Sequence, residues 1–302
     1  MSEMRFDGKS VIVTGAGRGF GREHARLLAR RGARLVLADY GVEMNGLGTD
    51  PSIVEAITKE INDNGGEATA IFANVSVRTE AERVVQTAVD TYGKLDVLVN
   101  NAGIYAGNWL EDVDSDQVRR MVEFHYLGTV WMTRAAWPHL KEGPGCIVNT
   151  ASEAIIGNIP KSPDYAGPKG AVFAFTKAMA LDGQRYGIRV NAISPRGNTR
   201  MATPEVLSFV FDAPKENFEG EYFESMRTEY SSSAITFLAH ESCSLSGEVI
   251  VCGAGLAKRM ALIETQGLSV PEGGLSPEDL RDGLDQLMDT TDAWVMVYDE
   301  LR

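Results

Sequence analysis

The sequence predicts an α/β chain with a single doubly wound domain, in which a seven-stranded parallel sheet is flanked by helices on both faces. Three observations carry this expectation. Short β-branched runs alternate with longer amphipathic stretches. A glycine-rich turn joins the first strand to the first helix. No linker rich in Pro, Gly or Ser, and no internal repeat, interrupts the alternation. Taken in order, strands are expected at 10–13, 34–38, 68–73, 97–100, 146–149, 189–193 and 249–251, each bounded by Gly, Asn, Asp or Pro. Such short, continuously apolar runs suit strands covered on both faces. Helices are expected between them at 21–31, 51–64, 79–92, 114–141, 166–186 and 231–239.

Two stretches fall outside this rhythm. Residues 41–50 form a glycine-containing insertion directly after the second strand, and residues 253–302 extend beyond the last one. The expected division is a body at 1–255 and an extension at 256–302 that packs on the body or on a neighbouring subunit. The extension has a helix start of its own, with Ser276 as N-cap, Pro277 at the first helical position and Asp279 two residues later. Its run at 293–298 is too apolar to be left in water.

The 302 residues are 44% hydrophobic and 24% charged, the balance of a globular protein rather than a disordered one. Twenty-nine basic residues against 42 acidic ones leave a net charge of −13, which repels phosphate backbones and anionic lipids. Neither a nucleic-acid nor a membrane partner is expected. The N-terminus lacks a basic head followed by an apolar stretch, and no apolar run reaches the ~18 residues that span a bilayer; a cytoplasmic protein is expected. Cys146, Cys243 and Cys252 include no C-x-x-C and read as small packing residues. His24, His125, His139 and His240 include no metal-binding pair, so no metal site is expected. Gly8-Lys9-Ser10 resembles the end of a P-loop, but Glu3 stands where its first glycine belongs.

The turn Thr14-Gly15-Ala16-Gly17-Arg18-Gly19-Phe20-Gly21 follows the first strand. Gly15, Gly19 and Gly21 allow a tight bend, let a pyrophosphate approach the backbone and let the helix pack closely; the helix N-terminus then meets the negative charge. The second strand ends at Asp39, about twenty residues on, where a carboxylate would accept hydrogen bonds from the adenosine ribose. That charge repels the extra phosphate of NADP and favours NAD, whereas Arg18 inside the turn pulls the other way.

Tyr165 and Lys169 are four residues apart on one predicted helix, so their side chains point the same way, and Ser152 follows the preceding strand. This set suits hydride transfer. A phenol with a pKa near 10 is a poor base, and an adjacent ammonium is expected to lower that pKa. Ser152 would hold the substrate oxygen in place.

Together these residues resemble the short-chain dehydrogenase/reductase family over roughly residues 6–255. The match rests on the Thr14–Gly21 turn, Asn74-Val75, Asn100-Asn101-Ala102-Gly103, Ser152, Tyr165, Lys169 and the segment Arg189-Val190-Asn191-Ala192-Ile193-Ser194-Pro195. The resemblance implies a Rossmann fold and an NAD-dependent oxidoreductase. It implies that Arg18 and Phe20 belong to the cofactor turn, that Asn74 and Val75 border the adenine, and that Asn101, Ala102 and Gly103 line the cofactor. Lys169 would also hold the nicotinamide ribose, and the segment after Pro195 would meet the carboxamide through Thr199. Where many members carry a helix asparagine that holds a proton-relay water, this chain has His125. A relay through the backbone carbonyl or the imidazole and a packing histidine are both open readings.

A narrower resemblance rests on Asp39-Tyr40-Gly41 with its extension, Thr199-Arg200-Met201, Phe237-Leu238-Ala239-His240-Glu241 and Ser246-Gly247-Glu248 before Gly253-Ala254-Gly255. It is similar to the dehydrogenase unit of peroxisomal multifunctional enzymes and their actinobacterial relatives, and implies oxidation of a (3R)-hydroxyacyl-CoA. Arg196, Arg200 and Lys258 could then meet CoA phosphates, and residues 201–230, rich in Phe and Met, read as a lid over an apolar substrate. Trp131, Met132, Trp137 and Leu140, with Val172, Phe173, Phe175 and Met179, suggest helix faces that join a homodimer or homotetramer. A reductase of xenobiotic, terpenoid or steroid ketones is the alternative enzyme. A non-catalytic dinucleotide sensor is disfavoured, since it needs no proton donor.

Overall fold

The computed structural model describes residues 3–269 and 273–296. The seven expected apolar runs form β1 (Ser10–Thr14), β2 (Arg34–Asp39), β3 (Glu67–Phe72), β4 (Val97–Asn100), β5 (Cys146–Thr150), β6 (Arg189–Pro195) and β7 (Val249–Gly253). They lie in the order β3-β2-β1-β4-β5-β6-β7 and pair in parallel. The winding reverses between β1 and β4, so the loops leaving these two strands part and open a crevice at the carboxyl edge of the sheet.

The sheet has eight strands rather than seven. β8 (Leu256–Met260) adds beside β7. Only Ala254 and Gly255 connect the two, with φ of 49° and 73°; a parallel crossover needs a dozen or more residues, so β8 returns antiparallel. Four of its five residues are exposed, which is why no apolar run announces it. The chain divides into two compact units, Met1–Arg259 and Met260–Arg302.

The helices are α1 (Gly19–Arg30), α2 (Ser52–Asp63), α3 (Arg78–Tyr92), α4 (Ser115–Met121), α5 (Gly128–Leu140), α6 (Pro163–Gln184), α7 (Pro204–Phe211), α8 (Glu221–Glu224) and α9 (Glu229–Ala239). Alternation along β1 sets the two cores. Val11 and Val13 pack with Leu28 of α1, Ile57 of α2 and Ile235 of α9, while Ile12 faces Val84 of α3, Met132 of α5 and Ala180 of α6. The helix expected at 114–141 is broken: a π-helical turn, Val122–Leu127, separates α4 from α5. Periodicity over 28 residues hides a single extra residue per turn.

In the second unit, β9 (Ile263–Glu264) pairs antiparallel with β10 (Trp294–Val295), and α10 (Pro277–Asp282) precedes α11 (Leu284–Met288). Ser276 and Asp279 close a capping box: Ser276 Oγ accepts from Asp279 N at 3.1 Å and Asp279 Oδ2 from Ser276 N at 2.8 Å. Of the apolar run at 293–298, residues 297 and 298 lie outside the described residues. Among the described residues, no helix is long and apolar enough to cross a membrane, and no group of three His, Cys, Asp or Glu could hold a metal. All three cysteines are free and buried. Burial pushes the Cys146 thiol up to about 12, which leaves it unreactive.

Candidate active site

A cleft of about 820 Å³ opens where β1 and β4 part. Gly15, Arg18, Gly19, Phe20, Asp39, Asn74, Val75, Asn101, Ala102, Gly103, Ser152, Tyr165, Lys169, Pro195 and Thr199 all line it. Gly21 does not; it packs. A Cβ there would stand 2.1 Å from Gly15 O and 2.5 Å from Asn101 Nδ2. The close approach of α1 to the turn depends on that missing carbon.

Thr14 and Asn101 hold the turn against β4. Thr14 Oγ1 accepts from the N–H groups of Asn101 and Ala102, each at 3.0 Å, and Asn101 Nδ2 donates to Thr14 O at 3.0 Å and Gly15 O at 3.2 Å. The Asn101 amide thus braces the bend. Gly19 begins α1 with φ +51°, a conformation that favours glycine. No side chain caps this helix and no acidic residue lies in its first turn, so its leading N–H groups are open to an anion. Thr199 lies over this end, with its Cγ2 3.4 Å from where a Gly19 Cβ would be.

Asp39 ends β2 with both carboxylate oxygens engaged: Oδ2 accepts from Gly17 N at 2.8 Å and Oδ1 from Gly41 N at 2.7 Å. The carboxylate is oriented before any ligand arrives. Gly17 was not singled out in the sequence, yet a Cβ on it would meet Ile53 Cγ2 at 2.4 Å. Its only sequence signal was its place among the other glycines of the turn.

On the opposite wall, Ser162 and Pro163 start α6 and set Tyr165 and Lys169 one turn apart. Lys169 is 4% exposed and its Nζ donates to Thr150 O at 2.6 Å. Burial brings its pKa down to about 7. The half-buried Tyr165 moves the other way: burial pushes its phenol up to about 12, opposed by a hydrogen bond with Ser152. The ammonium, 5.8 Å from the phenol ring centroid, does not lower the phenol pKa as the spacing suggested, because both groups are desolvated together.

Two further rings brace Tyr165. Tyr105 meets it edge-on at 5.3 Å and 87°, and His125, from the π-helical turn, at 5.1 Å and 83°. Tyr105 Oη is 2.8 Å from Ser162 Oγ, and His125 Nε2 is 2.8 Å from Ile104 O. Burial and nearby Lys169 hold the imidazole well below its ordinary pKa, so it is neutral. Below them, Gln117 Nε2 donates to Asp164 Oδ2 at 2.9 Å and Ala106 O at 3.2 Å, tying α4 to α6.

The substrate side is apolar, with Ile159, Leu207, Val210, Phe211, Phe218 and Phe223 on the wall. Phe218 contacts Phe211 at 5.8 Å and Phe223 at 5.7 Å between ring centroids. Lys161 fastens α7 to the loop before α6, donating to Phe209 O and Asp212 Oδ1, each at 2.5 Å. Of the three cations expected near CoA phosphates, Arg196 is paired with Glu153, and Arg200 faces Arg18, Asp39 and Glu43. Lys258 lies on β8 and does not line the cleft.

The short chain dehydrogenase family profile matches residues 9–206. The chain belongs to the short-chain dehydrogenase family. This dehydrogenase is 34% identical over 299 residues to the peroxisomal multifunctional enzyme type 2 of Mus musculus, covering 97% of its own length but 38% of the relative's. A short-chain type dehydrogenase/reductase of Mycobacterium tuberculosis is 30% identical over 259 residues, which cover 85% of this chain and 86% of that one. Among solved structures, a Mycobacterium avium short chain dehydrogenase superposes with a TM-score of 0.76 at 30% identity, over 94% of this chain and 95% of the other. Carveol dehydrogenase from Mycobacterium avium in complex with NAD, at 24% identity and a TM-score of 0.73 over 82% of this chain and 97% of that one, shares the fold.

The residues lining this cleft fit a nicotinamide dinucleotide. The uncapped N-terminus of α1 suits the pyrophosphate, the oriented Asp39 suits a ribose, and Tyr165 and Lys169 lie along the same cleft.

Proposed function

We propose that the enzyme uses NAD and interconverts a secondary alcohol and a ketone, acting on a large apolar or acyl-CoA substrate such as a (3R)-hydroxyacyl-CoA. One observation carries the reading: Ser152, Tyr165 and Lys169 share a cleft with Asp39 and the N-terminus of α1. A bound nicotinamide supplies the hydride acceptor. Ser152 orients the substrate oxygen; in oxidation Tyr165 Oη accepts the hydroxyl proton as the phenol's own proton leaves toward neutral Lys169, and in reduction both transfers reverse. Lys169, near its midpoint at neutral pH, shares that mobile proton with the phenol.

The Asp39 charge supports NAD, because the extra phosphate of NADP would meet an anion whose oxygens already hold two backbone amides. The apolar wall and the likeness to the mouse multifunctional enzyme support a bulky acyl substrate. The same wall would accept a terpenoid or steroid alcohol. The test is a panel of 3-hydroxyacyl-CoA thioesters, steroid alcohols and cyclic alcohols with each cofactor, followed by absorbance of the reduced dinucleotide. Asp39→Ala is expected to lower the NAD:NADP preference by roughly tenfold or more. Wild-type preference for NADP would refute the role of Asp39, and full turnover by Tyr165→Phe would refute the acid/base role.

The reading extends to a cytoplasmic homodimer or homotetramer. Trp131 and Trp137 of α5 and Met179 of α6 pack against the core yet are only partly buried. A monomeric sedimentation coefficient at micromolar concentration would refute the assembly.

A further inference from the structure

Glu153 and Arg196 line the cleft but have no part in the hydride reaction. Glu153 directly follows Ser152, and Arg196 directly follows Pro195 at the end of β6. Arg196 Nε and Nη2 donate to the two Glu153 oxygens, each at 2.6 Å, a two-pronged pairing of planar groups. Both ends are anchored. Arg196 N donates to Cys252 O at 2.7 Å, and Arg196 O accepts from Ser231 Oγ at 3.1 Å. Glu153 opens the short turn Glu153–Ile156, which Ser152 caps by accepting from Ala154 N at 3.1 Å. The side chains keep 31% and 22% of their surface exposed, in a cleft whose wall is otherwise largely apolar.

A guanidinium has five N–H groups, and Glu153 occupies two. The remaining three are polarised donors on a pair whose charges cancel, with the Tyr222 hydroxyl beside them as a further partner. A carboxylate or phosphate arriving there gains little net attraction and must compete with Glu153 for the same fork. A hydrocarbon strips water from donors and returns nothing. A neutral carbonyl oxygen matches both the geometry and the charge.

We propose that Arg196, neutralised by Glu153, is a specificity-determining residue that donates to a second, uncharged carbonyl oxygen of the substrate. The enzyme then selects secondary alcohols carrying an ester, thioester or ketone oxygen near the carbinol over plain alcohols and over hydroxy acids. This rests on the hydride reaction proposed above and narrows its substrate class.

The test compares kcat/KM for methyl (3R)-3-hydroxyhexanoate, (3R)-3-hydroxyhexanoate and 4-octanol, which present an ester, a carboxylate and a plain chain beside similar carbinols. The wild type is expected to favour the ester over both. Arg196→Met is expected to lower the ester:octanol ratio by roughly 10- to 100-fold, as for loss of a charge-assisted hydrogen bond. Glu153→Gln leaves a net positive charge and is expected to raise the carboxylate:ester ratio by roughly tenfold, a change that a merely structural pair would not produce. Ratios that stay put in Glu153→Gln overturn the assignment, even if Arg196→Met fails to fold. Wild-type turnover of all three substrates without an ester preference overturns the assignment alone. No turnover of any substrate overturns the reaction and this assignment with it.

Discussion

Replacing Lys169 with methionine removes a buried ammonium while nearly preserving its volume. The side chain is 4% exposed, and burial brings its pKa from an ordinary 10.5 to about 7. Between these values the unfolded chain holds a proton that the folded chain has released, so stability rises with pH. Below about pH 7 both forms hold the proton, and above about 10.5 neither does, so the slope vanishes at both ends. A full proton difference is worth ~1.4 kcal/mol per pH unit. Tyr165 acts in the opposite sense at higher pH: its phenol, pushed up from 10 to about 12, keeps a proton that the unfolded chain loses, so stability falls above pH 10. Subtracting the variant from the wild type isolates the lysine. In urea denaturation of ligand-free protein, the wild-type minus Lys169→Met difference should grow by about 1 kcal/mol per pH unit between about pH 7.5 and 9.5. Parallel stability curves for the two proteins across that window would refute the argument.

Gly21→Ala would place a methyl 2.1 Å from Gly15 O, and should cost about 1–3 kcal/mol of stability as well as weakening dinucleotide binding. Thermal denaturation and a fluorescence titration check it, and a variant unchanged in both would contradict the close packing. Lys161→Met should loosen α7, raising KM roughly 3- to 10-fold with a smaller change in kcat; Lys161 is the cation that joins Phe209 O and Asp212 to the loop before Tyr165. Equal loss in both constants would assign Lys161 to the reacting centre instead.

Much of the site was legible because its chemistry sits in local patterns. Gly15 and Gly19 lie within one turn, Asp39 closes the next strand, and Tyr165 and Lys169 share a helix face. What was not legible depends on residues far apart in the chain. Tyr105 packs directly on Tyr165 and pairs with Ser162, 57 residues away, and Arg196 finds Glu153 across 43. Spacing also conveyed that a phenol and an ammonium are near each other, but not how far each is withdrawn from water, and desolvation reversed the expected shift of Tyr165. β8 escaped notice for a related reason, since an edge strand facing solvent has no apolar run to reveal it. The fold was the more legible part, because the buried inner strands β1, β4 and β5 must be written largely in apolar residues.

The break at Val122–Leu127 makes chain length, rather than residue identity, the sensitive quantity in this helix. Each residue advances an α-helix by about 100°. Deleting one position there would restore regular winding but rotate α4 about its axis, carrying Gln117 away from Asp164 and Ala106. The surface that supports Tyr165 from below would lose its alignment without any supporting side chain having been altered. Shortening this stretch by one should therefore do more harm than most exchanges within it.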